Sequence, residues 1–179
     1  MKGIIFKEFL NMVEDNYNYE LVDQIIQSSG LEHDGVYTSV GTYPHAEMAR
    51  LVANFSLSTG IPVKKALEQF GEYAFKVFAA AYAKMLEGHA NAFSFLASVE
   101  NTIHVEVLKL YPEAELPALQ VAEMDKGKMI LIYKSSRKMS DFARGLMKGC
   151  LKHFNEKATI KQINIEEDRS EVKFIIIQK

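Results

Sequence analysis

The sequence has only one cysteine and four prolines among its 179 residues. A lone cysteine, Cys150, excludes an internal disulfide and any zinc or iron–sulfur site built from several cysteines. With so few prolines and no low-complexity tract, the chain shows no sign of a flexible linker between independent domains. We therefore expect about one domain, large enough to bury a substantial apolar core.

Long apolar runs and an excess of one charge are also missing. The longest uninterrupted apolar run, 77–83, is far shorter than the roughly 20 residues needed to span a bilayer. Lys7 and Glu8 interrupt the N-terminal apolar segment too early for the core of a signal peptide. The formal net charge of −2 gives no reason to expect a nucleic-acid or membrane partner. These features predict a soluble, cytoplasmic protein.

Apolar residues recur at helical spacing through the first two thirds of the chain, and β-rich segments follow in the last third. This order predicts an α+β fold, with a helical N-terminal part at about 1–62 and an α/β part with an antiparallel sheet at about 63–179. The expected helices are 3–15, 19–29, 44–60, 63–70, 73–87, 91–109 and 139–154, and the expected strands are 129–133, 158–165 and 171–178.

His104 lies beside an apolar stripe of one expected helix, where an imidazole has no obvious use. On spacing alone, a single histidine near such a stripe is more often a hydrogen-bonded core residue than a metal ligand. The stripe consists of Phe93, Leu96, Val99, Ile103, Val107 and Leu110.

A second feature follows the apolar run at 129–133. If that strand continues, Tyr133, Ser135 and Arg137 alternate onto one face. Two hydroxyls and a guanidinium there suit a bidentate grip on carboxylates, although exposed strand ends often carry the same residues. An axial nitrogen from His104 combined with a carboxylate clamp is what a haem with two propionates requires.

Several motifs together resemble the haem nitric oxide/oxygen binding (H-NOX) domain, a sensor module related to the haem domain of soluble guanylate cyclase. The resemblance covers the whole chain and rests on Met1-Lys2-Gly3, Ile103-His104-Val105, Pro117, the Tyr-x-Ser-x-Arg run and Gly145-Leu146. It implies haem b between the helical part and the α/β part. It further implies that His104 is the proximal iron ligand, that Tyr133, Ser135 and Arg137 clamp the propionates, and that Ile5 and Pro117 keep the porphyrin non-planar.

The resemblance also indicates which gas is bound. Members that bind O₂ carry a distal tyrosine where this chain has Phe142. Because bound O₂ needs a hydrogen-bond donor and NO does not, an apolar distal pocket predicts an NO sensor that excludes O₂ and also accepts CO. Tyr73 would leave O₂ binding open if its hydroxyl reached the pocket. The distal positions implied by the resemblance are Phe9, Ala74, Phe78, Phe142 and Leu146.

By the same resemblance, NO binding breaks the bond between iron and His104, and the porphyrin relaxes toward planarity. The helical part then shifts against the α/β part, and a separate protein detects the shift. A histidine kinase or a diguanylate cyclase/phosphodiesterase of a bacterium is the expected partner. We expect a monomeric regulatory protein and not an enzyme.

Two other functions share part of this pattern. A haem peroxidase would need a distal acid/base histidine, but the remaining histidines fall in loops or polar stretches. A haem carrier or storage protein would share the ligand and the clamp without needing a selective pocket, so it stays the main alternative. Cys150 alone cannot form the cysteine-rich zinc site of some bacterial relatives, and we expect it to be a small buried side chain. The remaining histidines are His33, His45, His89 and His153.

Overall fold

The computed structural model describes residues 1–179, which form seven α-helices and one four-stranded antiparallel sheet. This confirms the predicted mixture of helices and antiparallel sheet. The chain divides into two compact units, Met1–Phe70 and Gly71–Lys179. No helix combines the length and the apolar character needed to cross a membrane. The helices are α1 (Gly3–Asn16), α2 (Tyr19–Ser28), α3 (His45–Thr59), α4 (Val63–Ala81), α5 (Ala92–Ser98), α6 (His104–Leu110) and α7 (Ser140–His153), and the strands are β1 (Ala118–Met124), β2 (Lys128–Lys134), β3 (Ala158–Asn164) and β4 (Glu171–Gln178).

The first unit is helical, and its core forms where α1, α2 and α3 turn their apolar faces inward. The Asn18 side chain accepts a hydrogen bond from the backbone N–H of Leu21 and so caps the start of α2. Gly60, with φ of 73°, ends α3 in the left-handed conformation that glycine adopts without a steric cost. The completely buried side chains here include Phe6, Phe9, Val13, Ile25, Leu51, Phe55 and Phe70.

The second unit contains the sheet, whose strand order is β1-β2-β4-β3. Alternate residues of β2 and β4 are buried because side chains along a strand point to opposite faces. Those buried residues form one core cluster with residues of α5 and α7, including Cys150. Cys150 is fully buried, as predicted, and burial raises the pKa of its thiol.

One expected helix break does not occur. The sequence predicted separate helices at 63–70 and 73–87, whereas α4 runs without interruption from Val63 to Ala81. Gly71 does not stop this helix; it allows a close approach to α7. A Cβ at Gly71 would collide with the carbonyl oxygen of Phe142 and lie 2.7 Å from the Cα of Gly145. The glycine is therefore a contact point between two helices.

The expected helix 91–109 is also different in form. A π-helical segment, Val99–Ile103, separates α5 from α6, and His104 is the first residue of α6. A π turn takes in more residues than an α turn, so it rotates the following residues away from the preceding apolar stripe. Leu110, the last residue of the stripe and of α6, is 53% exposed.

The alternation expected for Tyr133, Ser135 and Arg137 was wrong as a description of the backbone. β2 ends at Lys134, and the next residues form a turn in which the N–H of Lys138 donates to the carbonyl of Ser135. Any convergence of these three side chains must therefore come from the turn and not from the pleat of a strand. β1 was not predicted as a strand, because five of its seven residues are exposed at the sheet edge.

Candidate functional site

His104 occupies a mostly buried position at the start of α6, with 17% of its side chain exposed. Its Nδ1 lies 3.3 Å from a carboxylate oxygen of Glu100, one turn earlier. Burial lowers the pKa of His104, and the opposing effect of the Glu100 charge does not cancel it. The imidazole is therefore neutral near pH 7, and a neutral imidazole is the form that binds metals. With Nδ1 directed at Glu100, Nε2 is the nitrogen that presents its lone pair.

Glu100 was not recognised in the sequence as part of a site. Its Oε2 atom faces His104 and also accepts a hydrogen bond of 2.8 Å from the backbone N–H of Leu119. Leu119 is the second residue of β1 and pairs with Tyr133 in the sheet. The spacing of four residues between an acid and a histidine could have indicated the pair, because such residues face each other on a helix.

Tyr133, Ser135 and Arg137 do come together, through the turn after β2. The Ser135 side chain and the Met139 backbone lie near enough to the Tyr133 hydroxyl to oppose the rise in its pKa. The Ser135 hydroxyl oxygen in turn accepts the backbone N–H of Arg137 at 3.2 Å. Burial raises the pKa of Tyr133 despite these neighbours and the nearby arginines, so its hydroxyl stays protonated and able to donate.

The guanidinium of Arg137 already binds a carboxylate. Its Nη2 donates to a carboxylate oxygen of Glu115 at 2.7 Å, and its Nη1 donates to the Glu115 backbone carbonyl at 2.5 Å. Only 19% of the Arg137 side chain is exposed, against 80% of Glu115. A largely buried guanidinium is thus paired with a solvent-exposed carboxylate. These donors fit a group that presents carboxylates, as the propionates of haem do.

The predicted distal residues of the second unit lie on α4 and α7, the helices that meet at Gly71. Ala74 is completely buried, and Phe78, Phe142 and Leu146 are half-buried. Members of each pair on one helix are four residues apart and therefore share a helix face. All four side chains are hydrocarbon, so none of them can donate a hydrogen bond. Tyr73, half-buried on α4, lies about 100° around the helix from Ala74.

The other residues predicted for the haem site are Phe9, Ile5 and Pro117. Phe9 is completely buried in the first unit, where its ring packs edge-on against Phe55 and Phe70 with centroids 6.0 and 5.3 Å away. Ile5 is half-buried on α1. Pro117 is half-buried immediately before β1, two residues from the Leu119 amide that Glu100 binds.

Comparisons with known proteins agree with this chemistry. The family model described as haem-NO-binding matches residues 2–162. An unliganded Fe(II) H-NOX protein from K. algicida is 47% identical, with a TM-score of 0.95 over 100% of this chain and 97% of that chain. An H-NOX protein from S. oneidensis in the Fe(II)NO state is 25% identical, with a TM-score of 0.91 over 100% of this chain and 99% of that chain.

Soluble guanylate cyclase 89Db of Drosophila melanogaster is 28% identical over 157 residues, or 86% of this chain. This chain spans only 23% of the length of that relative, and the same share of guanylate cyclase 89Da. The match to the family model extends over most of the sequence, and solved H-NOX structures share the fold from end to end. This chain belongs to the haem-NO-binding (H-NOX) family of haem-based gas-sensor domains.

Proposed function

We propose that this protein senses NO through haem b, with Nε2 of His104 as the iron ligand and with Tyr133, Ser135 and Arg137 holding the propionates. The observation that carries the proposal is a mostly buried, neutral histidine whose Nδ1 faces Glu100, so that Nε2 is left as the donor. In the same unit, a guanidinium that grips a carboxylate supports it. When bound, haem would supply the ferrous iron that takes the gas, and His104 would be the protein ligand of that iron.

The protein residues set the conditions for that chemistry. His104 offers a neutral nitrogen, and Arg137 offers a planar fork that matches a carboxylate in geometry and charge. Ile5 and Pro117 are the side chains that we propose to press on the porphyrin. We propose that His104 would pass the signal from the haem to the protein, because α6 begins at this residue.

Selectivity for NO over O₂ rests on the hydrocarbon side chains at the proposed distal positions, Phe9, Ala74, Phe78, Phe142 and Leu146. An O₂ molecule on ferrous haem draws negative charge and is retained by a hydrogen-bond donor, whereas NO binds tightly without one. CO also needs no donor and should bind.

The substitution Phe142→Tyr tests this selectivity by adding one hydroxyl to α7. We expect the ferrous variant to form an O₂ complex in air, visible in its absorption spectrum, while the wild type and the control Phe142→Leu do not. NO binding should be retained in all three proteins. A stable O₂ complex of the wild type would contradict the proposal, and its loss in Tyr73→Phe would then identify Tyr73 as the donor.

The signal is proposed to pass to another protein, with a histidine kinase or a diguanylate cyclase/phosphodiesterase of the bacterial cytoplasm as the expected class. The likeness to guanylate cyclases supports a signalling role, since the matched segment is 23% of a longer protein there. A pull-down with and without NO, followed by assay of the captured protein, tests this. Rapid transfer of haem from the wild type to apomyoglobin would instead favour the carrier alternative.

A further inference from the structure

Glu100 is the residue outside the predicted site whose contacts most need an explanation. A single carboxylate oxygen, Oε2, lies 3.3 Å from Nδ1 of His104 and 2.8 Å from the backbone nitrogen of Leu119. Glu100 is in the π-helical segment directly before His104, and π turns inside longer helices are frequently found at functional sites. The carboxylate therefore connects the histidine to the sheet.

The sheet contact gives Glu100 a fixed position. β1 is an edge strand, so the N–H groups on its open side have no strand partner. Glu100 accepts one of these, at a residue that is itself 8% exposed and is paired with Tyr133 on the neighbouring strand. An acid held in this way can hold the imidazole in one orientation.

We propose that Glu100 is a positioning residue for the haem iron: it accepts the Nδ1–H of His104, fixes the tautomer that leaves Nε2 for the metal, and strengthens Nε2 as a donor. The inference rests on the proposed ligation of haem by His104. Carboxylate partners of metal-bound histidines act in this way generally, and their removal costs roughly 10- to 100-fold in metal affinity. The same carboxylate links the iron ligand to the strand that pairs with Tyr133.

The test uses the complete haem-loaded protein with the substitutions Glu100→Gln and Glu100→Ala. The glutamine retains an oxygen that can accept from Leu119 but lacks the charge that strengthens the imidazole. Glu106→Gln is the matched control, since Glu106 lies two residues beyond His104 and pairs only with exposed Lys109, at 2.6 Å.

Resonance Raman spectra of the ferrous proteins report the iron–histidine stretch directly. We expect this band to move to lower frequency in Glu100→Gln and further in Glu100→Ala, with haem loss at least about tenfold faster in the alanine variant. Glu106→Gln should match the wild type in both measurements.

Two results would overturn the inference, and they differ from each other. An unchanged iron–histidine band in both Glu100 variants, with only thermal stability reduced, would mean that Glu100 merely caps the edge of β1. Absence of an iron–histidine band in the wild type would instead refute ligation by His104, and with it the proposed function.

Discussion

A histidine–carboxylate pair lies in each of the two units, and the burial of the partners is reversed between them. In the first unit Glu47 has no exposed side-chain surface and His33 is 41% exposed, with 2.8 Å between Nδ1 and the carboxylate. In the second unit His104 is 17% exposed and Glu100 is 36% exposed, at 3.3 Å. A buried polar group must find its hydrogen-bond partners inside the protein. The more buried member of each pair is therefore the residue that depends on the other for a partner.

In the first unit, the pair stabilises the buried carboxylate in its charged form. Burial opposes the charge of Glu47, but hydrogen bonds from Tyr37, at 2.5 Å, and from His33 outweigh burial and lower the pKa of Glu47. Burial and the contact with Glu47 raise the pKa of Tyr37, which therefore remains a donor. Because His33 and Tyr37 lie in the loop between α2 and α3, this network fastens a loop to a helix. In the second unit the acid instead faces a mostly buried histidine, whose other nitrogen we propose to bind the haem iron.

The largest expected effect is a difference in haem binding between variants of the two histidines. His104→Ala should weaken haem binding by more than about 100-fold, since even loss of a partner of a ligating histidine costs 10- to 100-fold. His33→Ala should leave haem binding unchanged. Transfer of haem to apomyoglobin measures the rate of haem loss from each of the two variants. Equal retention by the two variants would contradict the distinction between the pairs.

Removing the buried acid should affect folding and not the haem site. Glu47→Gln places an NH₂ group where two donors converge, so a buried donor loses its acceptor at a cost of about 1–3 kcal/mol. Urea denaturation measures this change, with exposed Glu32→Gln as a control that removes the same charge from the loop that this network fastens. Identical stability of the two variants would show that the Glu47 network contributes nothing.

The Glu47 network also predicts how the stability of the protein depends on acid pH. The pKa of Glu47 in the folded protein lies below its ordinary value of 4.5, so at acid pH the unfolded chain binds more protons. The stabilisation is complete above that value and is lost as the pH falls through the folded pKa. Between about pH 5 and pH 3, the wild type should lose stability more steeply than Glu47→Gln, by at most about 1.4 kcal/mol per pH unit. Parallel pH curves would refute the shift.

The smallest effect is expected at Glu115, an exposed acid paired with Arg137, the cation that we propose to hold a propionate. Exposed ion pairs contribute about 0–1 kcal/mol, so Glu115→Gln should change the rate of haem loss by less than about fivefold. Arg137→Gln, which removes the cation itself, should have the larger effect on the same rate. A change at Glu115 as large as that at Arg137 would mean that Glu115 controls access to the clamp.

Periodicity predicted the helices and strands whose burial is regular. α1, α2, α3 and α7 begin and end within about two residues of the predicted limits, as do β2, β3 and β4. The predicted elements are wrong where a residue is determined by its contact with another element. The sequence predicted a break between 70 and 73, but Gly71 lies inside α4, at a point where α7 passes too close for a Cβ. The residues of the π turn before His104 have no distinctive composition from which the turn could be predicted.

The amino-acid sequence by itself determined the family, the fold class and the presence of hydrocarbon side chains at the predicted distal positions. Identity and local spacing are enough for these, because they do not depend on how distant segments meet. Only the tertiary structure brought Leu119 to Glu100 and Glu115 to Arg137, 19 and 22 residues apart. Such contacts depend on where a turn or an edge strand lies in space, and the spacing of apolar residues specifies the buried face of an element but not its polar partners.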